Sequence, residues 1–461
     1  MTEPGGDVLG NYERHVNPTF TKLLGVLGYG RVWTRGEGTR VFDDAGKAYV
    51  DMLAGFGATN LGHNHPELHR ALIETLAAKP LHVCHVGPTP HEAAVGERLS
   101  RSAGEPFEIA LMSSSGAEAV EAAIKVARAA TKRPGILYCK GGFHGLSIGT
   151  LSIMGSPRLR APFEPLLQAT AVPFGALEPL REALASKRFA CFVVEPIQAE
   201  AGVLLAPAGY LAAARELCTK YGTQLVFDEV QTGVGRTGAR YAFMAEGVVP
   251  DLLVLAKGLG GGIVPVGATL ASRELHQRAY GGLDRFDAHG STFAGNALAC
   301  AAVIATLDIV DREQLAEKAK VSGAYLLDRL RARIGKHPLV REVRGRGLLV
   351  GIELGTAATG LLQGLGARLA SLSPAAGRLA PPPFVGQWIS VRLLEAGYLC
   401  QPTAHEWDVL KIEPPLTITE PELDGFVDAL GTVLDDYRSA ATILKDVGVR
   451  MAQRSAKGWA W

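Results

Sequence analysis

The sequence has no surplus of charge. Forty-seven Lys and Arg residues face 46 Asp and Glu residues, a formal net charge of +1. That balance lacks the basic footprint with which proteins hold nucleic acid or an anionic membrane, so neither partner is expected. Cysteine is sparse. The six cysteines stand at 84, 139, 191, 218, 300 and 400, none of them in a C-x-x-C pair. Their spacing suits neither a zinc site nor a disulfide framework, and no metal is expected. Scattered in this way they read as small buried hydrophobes in a reducing compartment, here the cytoplasm. No run reaches the ~18 consecutive apolar residues of a membrane helix. The opening MTEPGGDVLGNYERH has no basic segment followed by an apolar one, so no secretory leader is expected. The G-x-x-x-x-G-K-[ST] pattern is missing too, which argues against a P-loop nucleotide site.

What remains is an ordinary globular composition, 47% hydrophobic and 20% charged over 461 residues. That is too apolar for a disordered chain. The length predicts about three structural units, or two large ones. Residues 1–30 carry little pattern. RVFDDAGKAYVDML (40–53) reads as two short strands around a turn. From about 75 to 310 the texture is strand–helix alternation. The runs 135–139, 189–196, 224–230, 251–258 and 265–272 are apolar and short. They alternate with helical patterns at 117–133, 207–222 and 295–310. Strands buried on both faces between helices predict an α/β unit around a mostly parallel sheet. Beyond about 315 come a charged helix (314–333), a strand-like 341–354, a proline-broken strand at 410–418 and an amphipathic helix at 422–437. The Gly/Ala/Pro-rich stretch 355–386 reads as an insertion or linker.

Ligands of open α/β sheets bind at the C-terminal ends of the strands. Three apolar strands end in charge there. FVVEP gives Glu195, LVFDEV gives Asp228 and Glu229, and LLVLAKG gives Lys257. Any one alone is best read as a solvated strand tip. An acid and a lysine together point further. Desolvation lowers a lysine's pKa and frees its amine to form a Schiff base. An acid beside it can hold a ring nitrogen protonated, which is the protein side of pyridoxal phosphate chemistry. The phosphate needs a seat. Ser113-Ser114-Ser115-Gly116-Ala117 precedes a helix whose N-terminus favours an anion, although an ordinary serine cap is the simpler reading. Gly141-Gly142-Phe143-His144-Gly145 places an aromatic in a loop after a strand, where it could stack on a flat ring or merely be buried. Two decoys are set aside. The G-x-G-x-x-G at 233–238 follows a strand but opens no long helix, and the strand tip already carries acids. Gly62-His63-Asn64-His65-Pro66 reads as a structured turn at a helix entry, not as a metal site.

Taken together, these motifs resemble the class III aminotransferases, within the fold-type-I group of pyridoxal phosphate enzymes. The resemblance runs from about residue 18 to 435 and keeps its motifs in order. LVFDEVQTGVGRTG (225–238) followed by PDLLVLAKGLGGGIVPVGA (250–268) is similar to the family signature. SSSGAEAVEAAIKVAR, FHG, EPIQAEAG, GSTFAGNALACAA and VRGRGLLVGIEL fall where the family has similar segments.

The resemblance implies a large α/β unit over 76–330, a smaller α+β unit from 1–75 and 331–440, and a tail over 441–461. It implies that Lys257 forms the Schiff base and shuttles the proton. Asp228 would bind the pyridine nitrogen, Gln231 the ring hydroxyl, and Val230 and Phe143 the two ring faces. Ser115, Gly116 and Ala117 would hold the phosphate, with His144 and Glu195 supporting the cofactor site around Asp228. Thr292 would reach the phosphate of a second subunit, which implies a homodimer with shared sites.

Substrate recognition departs from the family pattern. Where many ω-amino acid members have a carboxylate-clamping Arg before x-x-P-P-L, this chain has Lys411 in KIEPPL. Lysine lacks the bidentate fork. The family's switching Glu is similar to Glu200, flanked here by Ala199 and Ala201. Lys411 and Glu200 are therefore the candidate substrate residues. The overall texture is closest to the putrescine and terminal-amine members. The expected reaction moves an amino group between a terminal amine or aldehyde and an amino acid or oxo acid. An ω-amino acid substrate of the ornithine, acetylornithine or 4-aminobutyrate type is the alternative. An aminomutase, a decarboxylase or a non-catalytic relic stand further off.

Overall fold

The computed structural model describes residues 6–27, 29–355 and 385–437, with scattered positions from 439 to 449. Most of the Gly/Ala/Pro-rich stretch expected to be an insertion, and most of the expected tail, lie outside the described residues.

A seven-stranded sheet forms the centre. Its spatial order is Ile109–Ser113, Gly267–Ala271, Leu252–Leu255, Gln224–Asp228, Phe189–Val194, Gly135–Cys139 and Ala169–Val172. The strand period of two divides each strand between two cores. Leu225 and Phe227 join one apolar cluster while Val226 joins the other. Leu253 and Leu255 part from Leu252 and Val254 in the same way, as do Phe192 and Val194 from Cys191 and Val193. One face is covered by the helix Gly116–Thr131, which buries Ala119, Val120, Ala123, Ile124 and Ala127. The other packs against residues of the helices Ala297–Arg312 and Tyr210–Tyr221. With both faces covered, these strands carry uninterrupted apolar runs.

The sheet is mostly parallel, as the alternation predicts, with one departure. Gly267–Ala271 runs antiparallel to both its neighbours. Only about ten residues separate it from Leu255, too few for the crossover helix a parallel return needs. Consequently the C-terminal ends of its parallel neighbours and the turn at Lys257–Gly260 face the same side.

A second sheet pairs Trp33–Glu37, Arg40–Asp43 and Ala48–Asp51 with the distant Tyr398–Leu399, which runs parallel to Ala48–Asp51. A third, antiparallel sheet holds Val340–Arg346, Leu349–Leu354, Val409–Ile412 and Gln401–Pro402. Here three expectations need correction. Residues 341–354 form a hairpin and not one strand, because Gly347 at φ +55 turns the chain. The strand in 410–418 stops at Ile412, ahead of Pro414 and Pro415, which have no N–H to give a ladder. And the patternless N-terminus contains two helices, Val8–His15 and Pro18–Leu27, the first capped by the Asp7 side chain on the Gly10 amide at 2.8 Å.

Candidate active site

The parallel strands deliver their charged tips to one pocket. Asp228 ends its strand, Glu195 follows Val194, and Lys257 follows Leu255 by two residues. All three line a cavity of about 390 Å³, within the range of small-molecule sites. Ser115, Gly116 and Ala117 line it from the start of the helix Gly116–Thr131. Phe143 and His144 come from the loop after Cys139, and Val230 and Gln231 from the turn after Asp228.

The phosphate-seat expectation has a local basis. Ser115 is the helix cap, its Oγ accepting the Glu118 amide at 3.2 Å. The amides of Gly116 and Ala117, first in the helix, have no partner within it and carry the positive end of its dipole. A side chain at 116 would be crowded, and its neighbours would have to give by a few tenths of an ångström. Its Cβ would stand 3.0 Å from Val230 and 3.3 Å from Ala256.

The charged groups form two connected sets. In the first, Asp228 Oδ2 and His144 Nδ1 are 2.8 Å apart and both are buried. Asp228 Oδ1 accepts the Val230 amide at 3.0 Å. Burial alone would lower the His144 pKa, but the hydrogen bond and charge of Asp228 outweigh it and raise the value. His144 Nε2 is buried without a partner among the described residues, an unusual cost in a folded interior. Burial pushes Glu195 up to about 7. The Phe143 amide donates to it at 2.9 Å.

In the second set, Lys257 Nζ donates to Gln231 Oε1 at 2.7 Å. Burial and then the nearby Lys411 cation push the Lys257 pKa down, against the pull of Glu200, Glu413 and Asp228. Lys257 also sits at φ +47, a left-handed conformation that costs a non-glycine residue roughly 1–2 kcal/mol. Such strain persists where the surrounding structure demands it. Gln231 turns its amide nitrogen to Glu413, at 2.9 and 3.1 Å, and to Glu200 at 3.3 Å. Three carboxylate oxygens around one group fix it as the donor end.

Thus ten of the expected residues meet at the cavity and three do not line it. Thr292 is exposed, and its carbonyl accepts from His85 Nε2 at 3.0 Å. Lys411 and Glu200 lie behind Gln231 and contact each other directly. Lys411 has no exposed surface. Its pKa is raised, because Glu413 and Glu200 outweigh the effect of burial. Glu200 is held at about 2, Lys411 and Lys257 outweighing burial. The turn at His63–Pro66 behaves as expected. His63 Nε2 bonds Asp51 Oδ2 at 2.7 Å ahead of the helix Pro66–Ala77. Glu413 had no role in the sequence reading. Its signal was available: two residues past Lys411 on an extended chain, it shares that residue's face. The cavity wall at Gly262–Val266 carries no chemistry-bearing side chain and left no signal.

The sequence profile described as "Aminotransferase class-III" matches residues 27–434. The chain belongs to the class III aminotransferase family. Among relatives of this family, the aminotransferase PigE of a Serratia species is 35% identical over 457 residues, covering 93% of this chain and 53% of its own. The chain therefore spans about half the length of that relative. Among solved structures, the ornithine aminotransferase of Toxoplasma gondii superposes with a TM-score of 0.77 at 30% identity, covering 88% of this chain and 90% of its own. An amine transaminase from an uncultivated Pseudomonas species gives 0.77 at 30% identity, covering 88% and 94%. Class III aminotransferases use pyridoxal phosphate, and the residues present fit it. A lysine, a buried acid, an orphaned imidazole nitrogen and a glycine-bounded helix start converge on one cavity.

Proposed function

We propose that this class III aminotransferase transfers amino groups between a terminal amine or aldehyde and an amino acid or oxo acid, in two half-reactions that use Lys257. The observation that carries the general reading is the convergence of Lys257, Asp228 and the Ser115–Ala117 helix start on one cavity. When bound, pyridoxal phosphate supplies a carbonyl that takes up the amine nitrogen and a ring that accepts electrons from the adjacent carbon. Lys257, its pKa depressed by burial and by Lys411, gives up its proton more readily than an ordinary lysine and is placed to take a proton and return it. Asp228 would face the ring nitrogen and hold a proton there, with His144 fixing the carboxylate's orientation at 2.8 Å. The Gly116 and Ala117 amides would bind the phosphate, and Val230 and Phe143 would flank the ring. Glu195 would orient the Phe143 backbone through its 2.9 Å bond.

The finer reading, a terminal amine or aldehyde, is supported by the state of Lys411. It is buried and bound to Glu200, and offers no bidentate fork to a carboxylate. The ornithine and acetylornithine enzymes among the structural neighbours keep an ω-amino acid as the second reading. A homodimer with shared sites, in which Thr292 serves the partner's phosphate, is supported by exposed apolar side chains on the segments around it. Leu81, Val86, Leu283, Phe286 and Phe293 are all exposed, on segments tied together by His85 and Thr292. The proposed unit boundaries, 1–75 with 331–440 around 76–330, are supported by the pairing of Tyr398–Leu399 with Ala48–Asp51. A cytoplasmic location is supported by the six unpaired cysteines. Among the described residues no helix is long and apolar enough to cross a membrane.

The test is a panel of diamines, monoamines, ornithine and 4-aminobutyrate with pyruvate or 2-oxoglutarate, run beside Lys257→Ala. Turnover of amines that vanishes in the variant supports the proposal. A wild-type preference for the ω-amino acids would replace the amine reading with the second one.

A further inference from the structure

We propose that Glu413 is a specificity-determining residue. It keeps Lys411 neutralised, and so denies that cation to a carboxylate at the far end of the amino donor. This rests on the aminotransferase reading above and deepens it, by naming the residue that excludes a negative charge from the far end of the substrate.

A lysine paired with one carboxylate can be released when that carboxylate turns away. Lys411 is paired with two. Its Nζ contacts Glu200 Oε1 directly and lies 3.1 Å from Glu413 Oε1. An ammonium has three donors. Two point at carboxylates, and the Phe56 ring covers the group at 5.0 Å from its centroid. Lys411 and Glu413 are both fully buried. Should Glu200 move, Glu413 still neutralises the cation.

Glu413 itself is fixed. Its other oxygen accepts from Gln231 Nε2 at 2.9 Å. Gly57 packs against it so closely that a Cβ there would stand 3.2 Å from Oε2, and that glycine sits at φ +79. The charge balance follows. Two carboxylates against one ammonium leave the cluster negative when Lys257 is neutral. Gln231 joins this cluster to the cavity, since it lines the one and is bonded to the other. While Lys257 is neutral, a carboxylate placed at that end of the cavity meets repulsion with no free cation among the described residues to offset it. A distal ammonium meets attraction, and a neutral end meets neither.

Glu413→Gln keeps the size of the side chain and removes one charge. Two readouts apply to the cofactor-loaded protein. The first is calorimetric titration with glutarate, a dicarboxylate without an amine to react. Glu413→Gln should bind it at least about tenfold more tightly than the wild type, an effect of ~1.4 kcal/mol. The second is the ratio of kcat/KM for 4-aminobutyrate to that for putrescine. It should rise roughly tenfold or more in Glu413→Gln and return to the wild-type ratio in Glu413→Asp, which keeps the charge. A glutarate affinity and a substrate ratio that both stay at wild-type values in Glu413→Gln overturn the proposal. If that variant does not fold, the wild type decides: a kcat/KM for 4-aminobutyrate equal to or above that for putrescine overturns the proposal, and a clear preference for putrescine supports it. Wild-type protein that turns over no amine with any oxo acid would defeat the aminotransferase reading instead, while the glutarate titration still reports on Glu413.

Discussion

Lys411→Met removes the one cation between two buried carboxylates and leaves a side chain of similar length. The cost can be worked from Glu200. Its carboxyl is held at about 2 in the folded chain, against an ordinary value near 4.5. A shift of that size, at 1.36 kcal/mol per unit, corresponds to about 3 kcal/mol of stability at neutral pH, shared by Lys411 with Lys257 and the Ala404 amide, which also lower the value. The figure agrees with the ~3–5 kcal/mol typical of removing one partner of a buried ion pair. The pH dependence supplies the sharper test. A depressed pKa contributes stability that is present above about 4.5 and is lost as pH falls towards 2. In Lys411→Met, burial and the facing Glu413 act on Glu200 unopposed by that cation. The carboxyl pKa then moves upward, so the deficit of the variant grows as pH rises through the ordinary carboxylate range. Urea unfolding of both proteins at pH 7 and at pH 4.5 measures this. We expect a deficit of about 3 kcal/mol or more at pH 7 and clearly less at pH 4.5. A loss below about 1 kcal/mol at pH 7, or an equal loss at both pH values, would refute the buried three-charge cluster.

Asp228→Asn should slow the half-reaction by about 3 kcal/mol or more of transition-state stabilisation, on the order of 100-fold, with far less effect on folding; single-turnover rates near the wild type would contradict its role at the ring nitrogen. The same variant should lower the His144 pKa, which Asp228 now holds up, and a histidine titration by NMR reads the shift. Glu195, raised by burial to about 7, binds its proton more tightly folded than unfolded, so it costs stability progressively from pH 4.5 to 7; Glu195→Gln should flatten that part of the stability profile, by up to about 3 kcal/mol, and an unchanged slope would show that another group sets it. Mixing inactive Lys257→Ala with inactive Thr292→Ala should restore part of the activity if sites are shared between subunits, whereas no recovery on subunit exchange would exclude sharing.

Much of the site was legible in the sequence, for a reason of geometry. In a parallel sheet each strand ends on the same side, so Glu195, Asp228 and Lys257 meet there whichever strands lie next to each other. The helix start at Ser115–Ala117 follows a strand of the same sheet and arrives at the same edge. Apolar runs bounded by glycine and charge also marked the strands themselves. Local chemistry was enough for these features because each depends on a few neighbouring residues.

Other features depended on segments far apart in the chain. Nothing near residue 200 shows that Glu200 will share Lys411 with Glu413, because the strand Val409–Ile412 is brought there by its pairing with Leu349–Leu354. The same holds for Gln231, whose amide direction is set by carboxylates from two remote segments. The wall at Gly262–Val266 and the antiparallel return at Gly267–Ala271 follow from chain length between strands, not from residue type. Sequence determined which residues could do chemistry and that the sheet would gather them. Tertiary structure decided which charges cancel. Pairing energies in a buried site depend on distance and on exclusion of water, and both arise only when remote segments pack together.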